Sequence, residues 1–264
     1  MSEPAILYNV QAGVAWLRLN QPATRNAINA EIAEALDELA ERCASDPTVR
    51  CVMLTGQGDF FCVGGDISRF VAAREAGEAR AIVHGLARQF NAGIYRLLTM
   101  NKPLVTVING PAAGAGFGLA LIGDVVLAAR SAHLTAAYTA IGMTPDGGTS
   151  WMLPRLVGLR RAQRILFENP RISAEEASDL GLVTHVVPDE RLAEEADALA
   201  ARLASGATGA IGACRALLRA SSTPDLAAHL ALEAETIAAA AAGDEAGEGF
   251  AAFLERRTPR FPGV

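Results

Sequence analysis

The run of small residues between Asn109 and Asp124 constrains this chain more than any other feature of its sequence. It follows the apolar segment Leu104 to Ile108, which is typical of a buried strand, and it leads into the apolar segment Leu119 to Ile122. We therefore predict a strand, a loop of small residues and the start of a buried helix. The first N–H groups of such a helix lack internal partners and lie at its electropositive end. Small residues let a ligand approach that backbone, so the run is suited to an enolate, a tetrahedral intermediate or a phosphate.

Helix packing, nucleotide binding and oxyanion binding are competing interpretations of this run. Close packing through small residues explains it without a ligand, and periodicity alone ranks this explanation equal to a functional one. A dinucleotide-binding loop needs a third glycine where the sequence has Leu119. A phosphate-binding P-loop needs a Gly-Lys-Ser/Thr step, and the run has no lysine. Both nucleotide loops fit poorly, and the choice of an oxyanion site for acyl chemistry depends on the rest of the chain.

Length, charge and composition disfavour several classes of protein. The chain has 264 residues, 51% of them hydrophobic, which is enough for one large domain or for a domain with a helical appendage. A net charge of -6, without a basic patch interleaved with aromatic residues, disfavours nucleic-acid and anionic-membrane binding. Met1 to Val10 lacks a signal-peptide pattern, and Asp124 interrupts the longest apolar run. The four cysteines and four histidines are scattered without metal-ligand spacing. We expect a cytoplasmic protein with reduced thiols and no metal.

The amino-terminal quarter of the chain predicts an α/β fold. Ile6 to Val10 and Val14 to Leu19 have the pattern of a hairpin, and Asn29 is placed to cap an amphipathic helix. Val49 to Thr55 then has the composition of a buried strand. A β-α-β unit of this kind favours a partly parallel sheet.

Further short strands and helices are predicted downstream. Residues 77 to 99 are weakly helical, Ser173 begins a capping box, and Val183 to Val187 is predicted as a strand. Residues 190 to 256 form alanine-rich helical stretches, one of them opened by Thr223-Pro224 as a cap and first turn. These stretches carry apolar stripes but no candidate chemistry, so we predict a helical subdomain that packs on a neighbour.

Two glycine-containing turns have ordinary structural explanations when each is considered alone. Gly64-Gly65 precedes Asp66, which is well placed to cap a helix beginning near Ile67. Asp146 lies in a Pro-Asp-Gly-Gly segment, where a plain turn or cap residue is the favoured explanation.

Taken together, however, the separated motifs resemble the crotonase, or enoyl-CoA hydratase/isomerase, superfamily. The segment Phe61-Cys-Val-Gly-Gly-Asp-Ile67 is similar to one family motif, and Asn109-Gly-Pro-Ala-Ala-Gly-Ala-Gly-Phe-Gly118 is similar to another. Arg25-Asn-Ala27 and Phe253-Leu-Glu-Arg-Arg-Thr-Pro259 match its terminal signatures. The resemblance covers nearly the whole chain in order. It implies a spiral of β-β-α turns over residues 1–189 that carries an acyl-CoA site, and a carboxy-terminal helical trimerisation region over residues 190–264.

The resemblance also assigns roles to individual residues. It implies an oxyanion hole formed by the backbone N–H groups of Gly65 and Ala115, which would hold the thioester oxygen of an acyl-coenzyme A. The residues it implies for substrate binding are Arg25, Ala27, Val63, Asp66, Ile67 and Tyr138, with Arg256 as a weaker phosphate candidate. Coenzyme A would be part of the substrate, with no separate cofactor, and the implied assembly is a homotrimer or a dimer of trimers.

The acidic residues decide which of the family's reactions is expected. Hydratases of the family carry two glutamates, and at the matching positions this chain has Gly118 and Asp146. One carboxylate is enough to move a double bond, because a single base can take a proton from one carbon and return it to another. The sequence is similar to the single-aspartate branch that includes the phenylacetate-pathway ring-epoxide isomerases, so we expect an enoyl-CoA isomerase with Asp146 as the base.

Three alternatives stay open at this stage. Aryl-CoA dehalogenases of the family use the same aspartate as a nucleophile with a tryptophan and a histidine, and the matching residues here are Tyr138 and Tyr95. This departure disfavours dehalogenation, although tyrosines could support other nucleophilic chemistry such as thioester hydrolysis. A hydratase is the second alternative, and a non-catalytic CoA- or RNA-binding homologue is the third.

Overall fold

The computed structural model describes residues 3–222 and 225–261, and in these ranges the strands form two sheets. The larger sheet contains, in spatial order, β1 (Ile6–Gln11), β2 (Val14–Leu19), β3 (Cys51–Gly56), β4 (Leu104–Ile108), β6 (Val125–Ala129) and β9 (His185–Val187). The smaller sheet contains β5 (Ala112–Ala113), β7 (His133–Thr135) and β8 (Ile172–Ser173). The β1–β2 pair is antiparallel and the rest of the larger sheet is parallel. The predicted hairpin and partly parallel sheet are therefore confirmed.

Helices occupy most of the chain between and after these strands. They are α1 (Ala30–Ser45), α2 (Ile67–Glu75), α3 (Ala79–Thr99), α4 (Ala115–Ala120), α5 (Thr149–Val157), α6 (Leu159–Glu168), α7 (Ala174–Asp179), α8 (Leu192–Ala204), α9 (Thr208–Ala220), α10 (Leu226–Ala241) and α11 (Asp244–Glu255). The predicted caps of α1 and α7 are present, since Asn29 accepts a hydrogen bond from the N–H of Ile32 and Ser173 accepts one from that of Glu176.

The chain winds between the two sheets as a spiral. β4 leads into β5 and then α4, and β6 leads into β7 and then α5, so these two turns each place one strand in each sheet before a helix. All residues of β3 and β4 are buried, as expected for central parallel strands covered on both faces. This is the mixed α/β architecture that the sequence predicts.

The carboxy-terminal helices differ in how they meet this core. α8 packs on the larger sheet, and its inward residues Leu192, Ala196 and Leu199 belong to the main hydrophobic core. In contrast, α10 has no buried residue and packs on α9 and α11. The predicted boundary between a core and a helical subdomain after residue 189 stays a prediction. α8, the first helix after that boundary, packs on the larger sheet of the predicted core.

Three local predictions can be compared with the structure. The predicted start of a buried helix after the glycine-rich run is present as α4, whose six residues are all buried before Leu121 to Asp124 turn toward β6. β9 begins at His185 rather than Val183. The cap predicted at Thr223-Pro224 lies outside the described residues, and the N-cap of α10 is Asp225, which accepts from the N–H of Ala228.

Candidate active site

A cavity of about 250 Å³ lies where three loops and two helices of the spiral meet. The loops contribute residues 63–65, 114–115 and 137–146, while α2 and α3 supply an apolar wall that includes Phe70, Leu86 and Phe90. Gly65, Ala115 and Asp146 all line this cavity. The three residues predicted as catalytic, which are up to 81 positions apart in the chain, are thus brought together.

The pairing of two loop segments explains how the predicted oxyanion amides come to lie side by side. Cys62 and Ala112 form a parallel bridge, in which the N–H of Ala113 donates to the carbonyl of Cys62 at 2.9 Å. Gly65 and Ala115 are each three residues beyond that bridge, so they lie at the same level of two parallel segments. Within the described part of the chain, neither of their N–H groups has a hydrogen-bond partner. Both are free to bind an oxygen that enters the cavity.

Glycine is required at two positions beside these amides. Gly64 has φ +97°, and a Cβ placed on it would lie 3.0 Å from the carbonyl oxygen of Ala113 and 3.4 Å from the nitrogen of Ala115. Gly114 has φ +53° and ψ -125°, which side-chain-bearing residues rarely adopt. Gly64 therefore allows the two segments to approach each other closely, and Gly114 allows the backbone conformation that leads into Ala115. α4 begins at Ala115, so the Ala115 N–H is one of the first-turn amides that the sequence predicts to lack a partner within the helix.

Asp146 is the one carboxylate among the described residues that line the cavity. Burial raises the pKa of Asp146, and a hydrogen bond from the Tyr138 hydroxyl, at 2.9 Å, partly opposes that rise. The following residue is also held in place, because the N–H of Gly147 donates to Asn91 Oδ1 on α3 at 3.0 Å. A fixed carboxylate with a raised pKa is suited to act as a general base.

Tyr138 and Thr149 extend this hydrogen-bonded group into the core. Their oxygen atoms are 3.3 Å apart, and both residues are buried. Burial, together with the neighbouring charge of Asp146, raises the pKa of Tyr138. The phenol therefore stays protonated at neutral pH and donates to Asp146. Tyr138, which is predicted to bind substrate, lines the cavity, and its hydroxyl contacts the carboxylate.

The neighbourhood of Gly118 explains why no second acid is found here. A Cβ placed on Gly118 would lie 2.3 Å from Thr149 Oγ1 and 3.5 Å from the carbonyl oxygen of Asp146. Contacts that short do not occur, so the space beside Gly118 belongs to the Thr149 side chain. A glutamate at position 118 would have to displace Thr149 and break its contact with Tyr138.

The segments predicted to bind coenzyme A run alongside each other next to the cavity. The N–H of Val63 donates to the carbonyl of Arg25 at 3.3 Å, and Ile28 pairs with Gly65 as a parallel bridge. Ala27 is buried, while the Arg25 guanidinium lies over the Phe60 ring at 5.3 Å. Val63 and Ile67 line the cavity.

Asp66 has the ordinary capping role. Its carboxylate accepts from the N–H of Arg69 at 3.4 Å at the start of α2, and from the Ser68 hydroxyl. The side chain does not line the cavity that holds Asp146. The predicted place of Asp66 along the coenzyme A portion of the substrate stays a prediction.

Two further residues named from the sequence lie away from the cavity. Tyr95, which matches a catalytic position of the dehalogenases, is 69% exposed and lines a separate groove between α3, α5 and α9. Arg256 is exposed at the end of α11 and does not line the cavity, so within one chain its predicted phosphate role finds no support. Spacing along a helix does not reveal which face meets the site, and α3 turns Phe90 and Asn91 toward it instead.

Several residues of the site were missed from the sequence. Asn26 is fully buried and donates through Nδ2 to the carbonyls of Gln57, Phe60 and Phe61, which fixes the loop that leads to Val63. Its place in the Arg25-Asn-Ala27 motif was a usable signal. Thr149, Asn91 and Phe70 belong to none of the motifs that resemble the family, so no sequence signal marked them.

Burial also keeps a thiol near Asp146 in its neutral form. The pKa of the buried Cys62 thiol is raised to about 12, so it stays neutral beside Asp146 at physiological pH. In residues 3–222 and 225–261, no cluster of three His, Cys, Asp or Glu side chains could hold a metal ion. The same ranges contain no helix of the length and hydropathy needed to cross a bilayer.

Comparison with known proteins adds independent information. Residues 9–263 match the family model described as enoyl-CoA hydratase/isomerase. The chain is 38% identical to the 1,2-epoxyphenylacetyl-CoA isomerase of Escherichia coli strain K12, over 98% of both chains. It is 34% identical to the 2,3-dehydroadipyl-CoA hydratase of the same strain, over the full length of both. A crystal structure of an enoyl-CoA hydratase from Polaromonas sp. JS666 superposes with a TM-score of 0.92 at 35% identity, covering 97% of this chain and 98% of that one.

Proposed function

The chain belongs to the enoyl-CoA hydratase/isomerase family, and from this premise we propose that it is an enoyl-CoA isomerase that moves a double bond along the acyl group. The observation that carries the proposal is the single carboxylate, Asp146, in a cavity that also holds the two unpartnered amides of Gly65 and Ala115. A proton-transfer reaction through an enolate needs one base and one oxyanion site, and this cavity has one of each.

The proposed reaction begins with the thioester oxygen bound by the N–H groups of Gly65 and Ala115. Asp146 takes a proton from the carbon next to the thioester, and the electrons of that C–H bond move toward the thioester oxygen as an enolate. The double bond shifts as the protonated Asp146 returns the proton further along the chain, which restores the carboxylate and the thioester. N–H donors of this kind stabilise the enolate more than the bound substrate. The loss of one such donor typically lowers the rate about a hundredfold or more.

The substrate is proposed to be an acyl-coenzyme A thioester. Its coenzyme A portion would lie along Arg25 to Ala27 and Val63 to Ile67, the paired segments at one side of the cavity. The acyl group would then point toward the apolar wall of α2 and α3. The name of the Escherichia coli relative, an epoxyphenylacetyl-CoA isomerase, supports the thioester class and an isomerisation without net addition of water.

Hydration is the second candidate, because other relatives are named as hydratases. The packing of Gly118 against Thr149 argues against it, since hydration by this family is expected to use a second acid at that position. Thioester hydrolysis or dehalogenation with Asp146 as the nucleophile is disfavoured, because Tyr95 lies outside the cavity and cannot assist that carboxylate.

Hydrogen–deuterium exchange at the substrate tests the proposal. We expect the wild-type protein to wash deuterium from heavy water into the carbon next to the thioester of a 3-enoyl-CoA, and to give a 2-enoyl-CoA of unchanged skeleton. Asp146→Asn keeps the shape of the side chain but removes the base, so exchange should stop. Asp59→Asn, which changes an exposed aspartate outside the cavity, is the matched control and should exchange normally.

Mass spectrometry of the same samples separates the alternatives. A product heavier by one water identifies hydration, and release of free coenzyme A thiol identifies thioester hydrolysis. If exchange persists in Asp146→Asn, Asp146 is only a turn residue and the proposed mechanism is wrong.

We also propose that the chain assembles as a homotrimer or a dimer of trimers. Large apolar side chains are exposed on the terminal helices, among them Phe253 at 83%, Leu254 at 80% and Ile237 at 71%. Exposed apolar surface of this kind favours association with further copies. Light scattering should give a mass of three or six chains, whereas a stable monomer at micromolar concentration would contradict the proposal.

A further inference from the structure

The side-chain oxygens of Thr149, Tyr138 and Asp146 can be hydrogen-bonded in only one direction. An ionised carboxylate accepts hydrogen bonds and donates none. The Tyr138 phenol has a single proton, and its 2.9 Å contact with Oδ1 of Asp146 uses that proton. The phenol oxygen can then only accept, so the 3.3 Å contact between the two hydroxyl oxygens requires Thr149 to be the donor. The donors therefore run from Thr149 through Tyr138 to Asp146.

The packing around Thr149 holds its hydroxyl in place. Thr149 is fully buried at the start of α5, and its backbone N–H donates to the carbonyl of Asp146 at 3.0 Å. Its Oγ1 fills the space that the absent side chain of Gly118 leaves, because a Cβ there would be 2.3 Å away. Over residues 3–222 and 225–261, the Tyr138 hydroxyl is the one hydrogen-bond partner of Oγ1. A buried β-branched side chain has little rotamer freedom, so this hydroxyl stays beside the phenol.

The same arrangement leaves one oxygen of Asp146 open. Tyr138 donates to Oδ1, and no described side chain donates to Oδ2. The described residues that line the cavity include no lysine, arginine or histidine, and burial keeps the nearby Cys62 thiol neutral. A general base must be held in reach of the proton that it takes, with an oxygen free to accept it. In this cavity the side chains that hold the carboxylate are Tyr138 and, behind it, Thr149.

We propose that Thr149 is a positioning residue that acts on Asp146 through Tyr138. Its hydroxyl holds the phenol with the proton directed at Oδ1, and Oδ2 is the oxygen that takes the substrate proton and returns it. Donation to the phenol oxygen also makes the phenol a stronger donor, because hydrogen bonds in a chain polarise one another. For its consequence in catalysis, the inference rests on the proposed function.

A first measurement tests this role without any substrate. A ¹³C-carboxyl NMR titration of aspartate-labelled protein, with the Asp146 signal assigned from Asp146→Asn, follows the pKa of that carboxylate directly. Thr149→Val keeps the shape of the side chain and removes the hydroxyl. We expect it to raise the pKa of Asp146, because a phenol that is a weaker donor stabilises the ionised carboxylate less. Thr149→Ser keeps the hydroxyl and should restore the wild-type pKa.

Thr106 on β4 offers the matched control. It is also fully buried, and its hydroxyl donates to the carbonyl of Ala120 at 2.8 Å, away from the cavity. Thr106→Val therefore removes a buried hydroxyl of the same kind without touching Tyr138 or Asp146. The pKa of Asp146 and the turnover of this variant should match those of the wild type.

The second measurement is steady-state kinetics with a 3-enoyl-CoA. The Thr149 contact at 3.3 Å is longer than the Tyr138 contact at 2.9 Å, so Thr149→Val should have the smaller effect of the two. We expect kcat to fall about two- to fivefold while KM changes less than about twofold. Added to Tyr138→Phe, the same substitution should lower kcat no further, because the group through which Thr149 acts is already absent.

Three results would overturn the positioning role. They are an unchanged Asp146 pKa in Thr149→Val, a change that Thr149→Ser does not reverse, and an equal fall in kcat with and without the Tyr138 hydroxyl. If Thr149→Val does not fold, Thr149→Ala removes the same hydroxyl without setting a methyl group against Gly118, and the same criteria apply. A wild-type protein that does not isomerise a 3-enoyl-CoA contradicts the proposed function, while the NMR titration still decides the role of Thr149.

Discussion

Asp146 in the cavity and Arg215 on α9 are both ionisable side chains withdrawn from solvent, yet their surroundings are organised differently. Arg215 is 7% exposed, and its guanidinium donates hydrogen bonds to groups in the interior. Its Nε lies 2.7 Å from the Asp124 carboxylate, and the other nitrogens donate to the carbonyls of Leu97, Met100 and Lys102. The Asp124 carboxylate in turn accepts from the N–H of Leu104. This cluster ties α9 to the end of α3 and to β4.

Around Asp146, in contrast, polar groups are left available. The carboxylate has one side-chain donor, Tyr138, and the amides of Gly65 and Ala115 across the cavity have no partner in the described ranges. Unsatisfied polar groups that face a cavity cost stability and persist where they serve a ligand. The complete set of hydrogen-bond partners around Arg215 therefore indicates a structural role. The polar groups left without partners around Asp146 indicate a chemical role.

The largest expected effect that tests this contrast is on catalysis. Asp146→Asn should lower turnover by about a hundred- to ten-thousandfold, because it removes the base without changing the shape. Steady-state kinetics with a 3-enoyl-CoA measures this, and substrate affinity should be kept. A fall of less than tenfold would contradict the assigned role.

The same variant should not lose stability at neutral pH. Since burial raises the pKa of Asp146, its protonated form favours the folded state; this stability is present below the ordinary aspartate pKa and is lost as the pH rises through the raised value. Asparagine does not ionise, so the variant lacks this dependence of stability on pH. Urea unfolding should therefore show a variant at least as stable as the wild type at pH 7.

Arg215 should show the opposite pattern. Arg215→Met removes a buried guanidinium that pairs with the partly exposed Asp124 carboxylate and donates to three carbonyls. Because those carbonyls lose their donors, the free energy of unfolding should fall by about 3 kcal/mol. Turnover per folded molecule should stay near the wild-type value. Arg219→Met is the matched control one turn later, where a single bond to the Leu98 carbonyl predicts a loss of about 1 kcal/mol. Equal losses in the free energy of unfolding in the two variants would contradict the structural role assigned to Arg215.

A smaller effect is expected at the partner of the base. Tyr138→Phe removes the hydrogen bond that lowers the pKa of Asp146, so that pKa should rise further. Because the ionised form is the active base, the acid limb of the pH–rate profile should move to higher pH. Tyr95→Phe should leave the profile unchanged, since Tyr95 lies outside the cavity. An unshifted profile in Tyr138→Phe would mean that the phenol does not act on the carboxylate.

The amino-acid sequence by itself determined the local elements and the kind of site. Periodicity and capping chemistry are local properties, and they predicted the β1–β2 hairpin, the Asn29 cap and the buried strands β3 and β4. The glycine-rich run and the motif resemblance singled out Gly65, Ala115 and Asp146, which do line one cavity. These predictions held because each depends on residues that are close in the sequence or fixed by a motif.

Only the tertiary structure decided what surrounds those residues. The Cys62–Ala112 bridge sets the amides of Gly65 and Ala115 level with each other, and strand register across 50 residues has no local signal. Thr149 occupies the space beside Gly118, and α3 presents Phe90 and Asn91 to the site while turning Tyr95 away. Such contacts depend on how helices rotate and sheets stack. Many weak interactions across the whole core fix that packing, and no single stretch of sequence contains it.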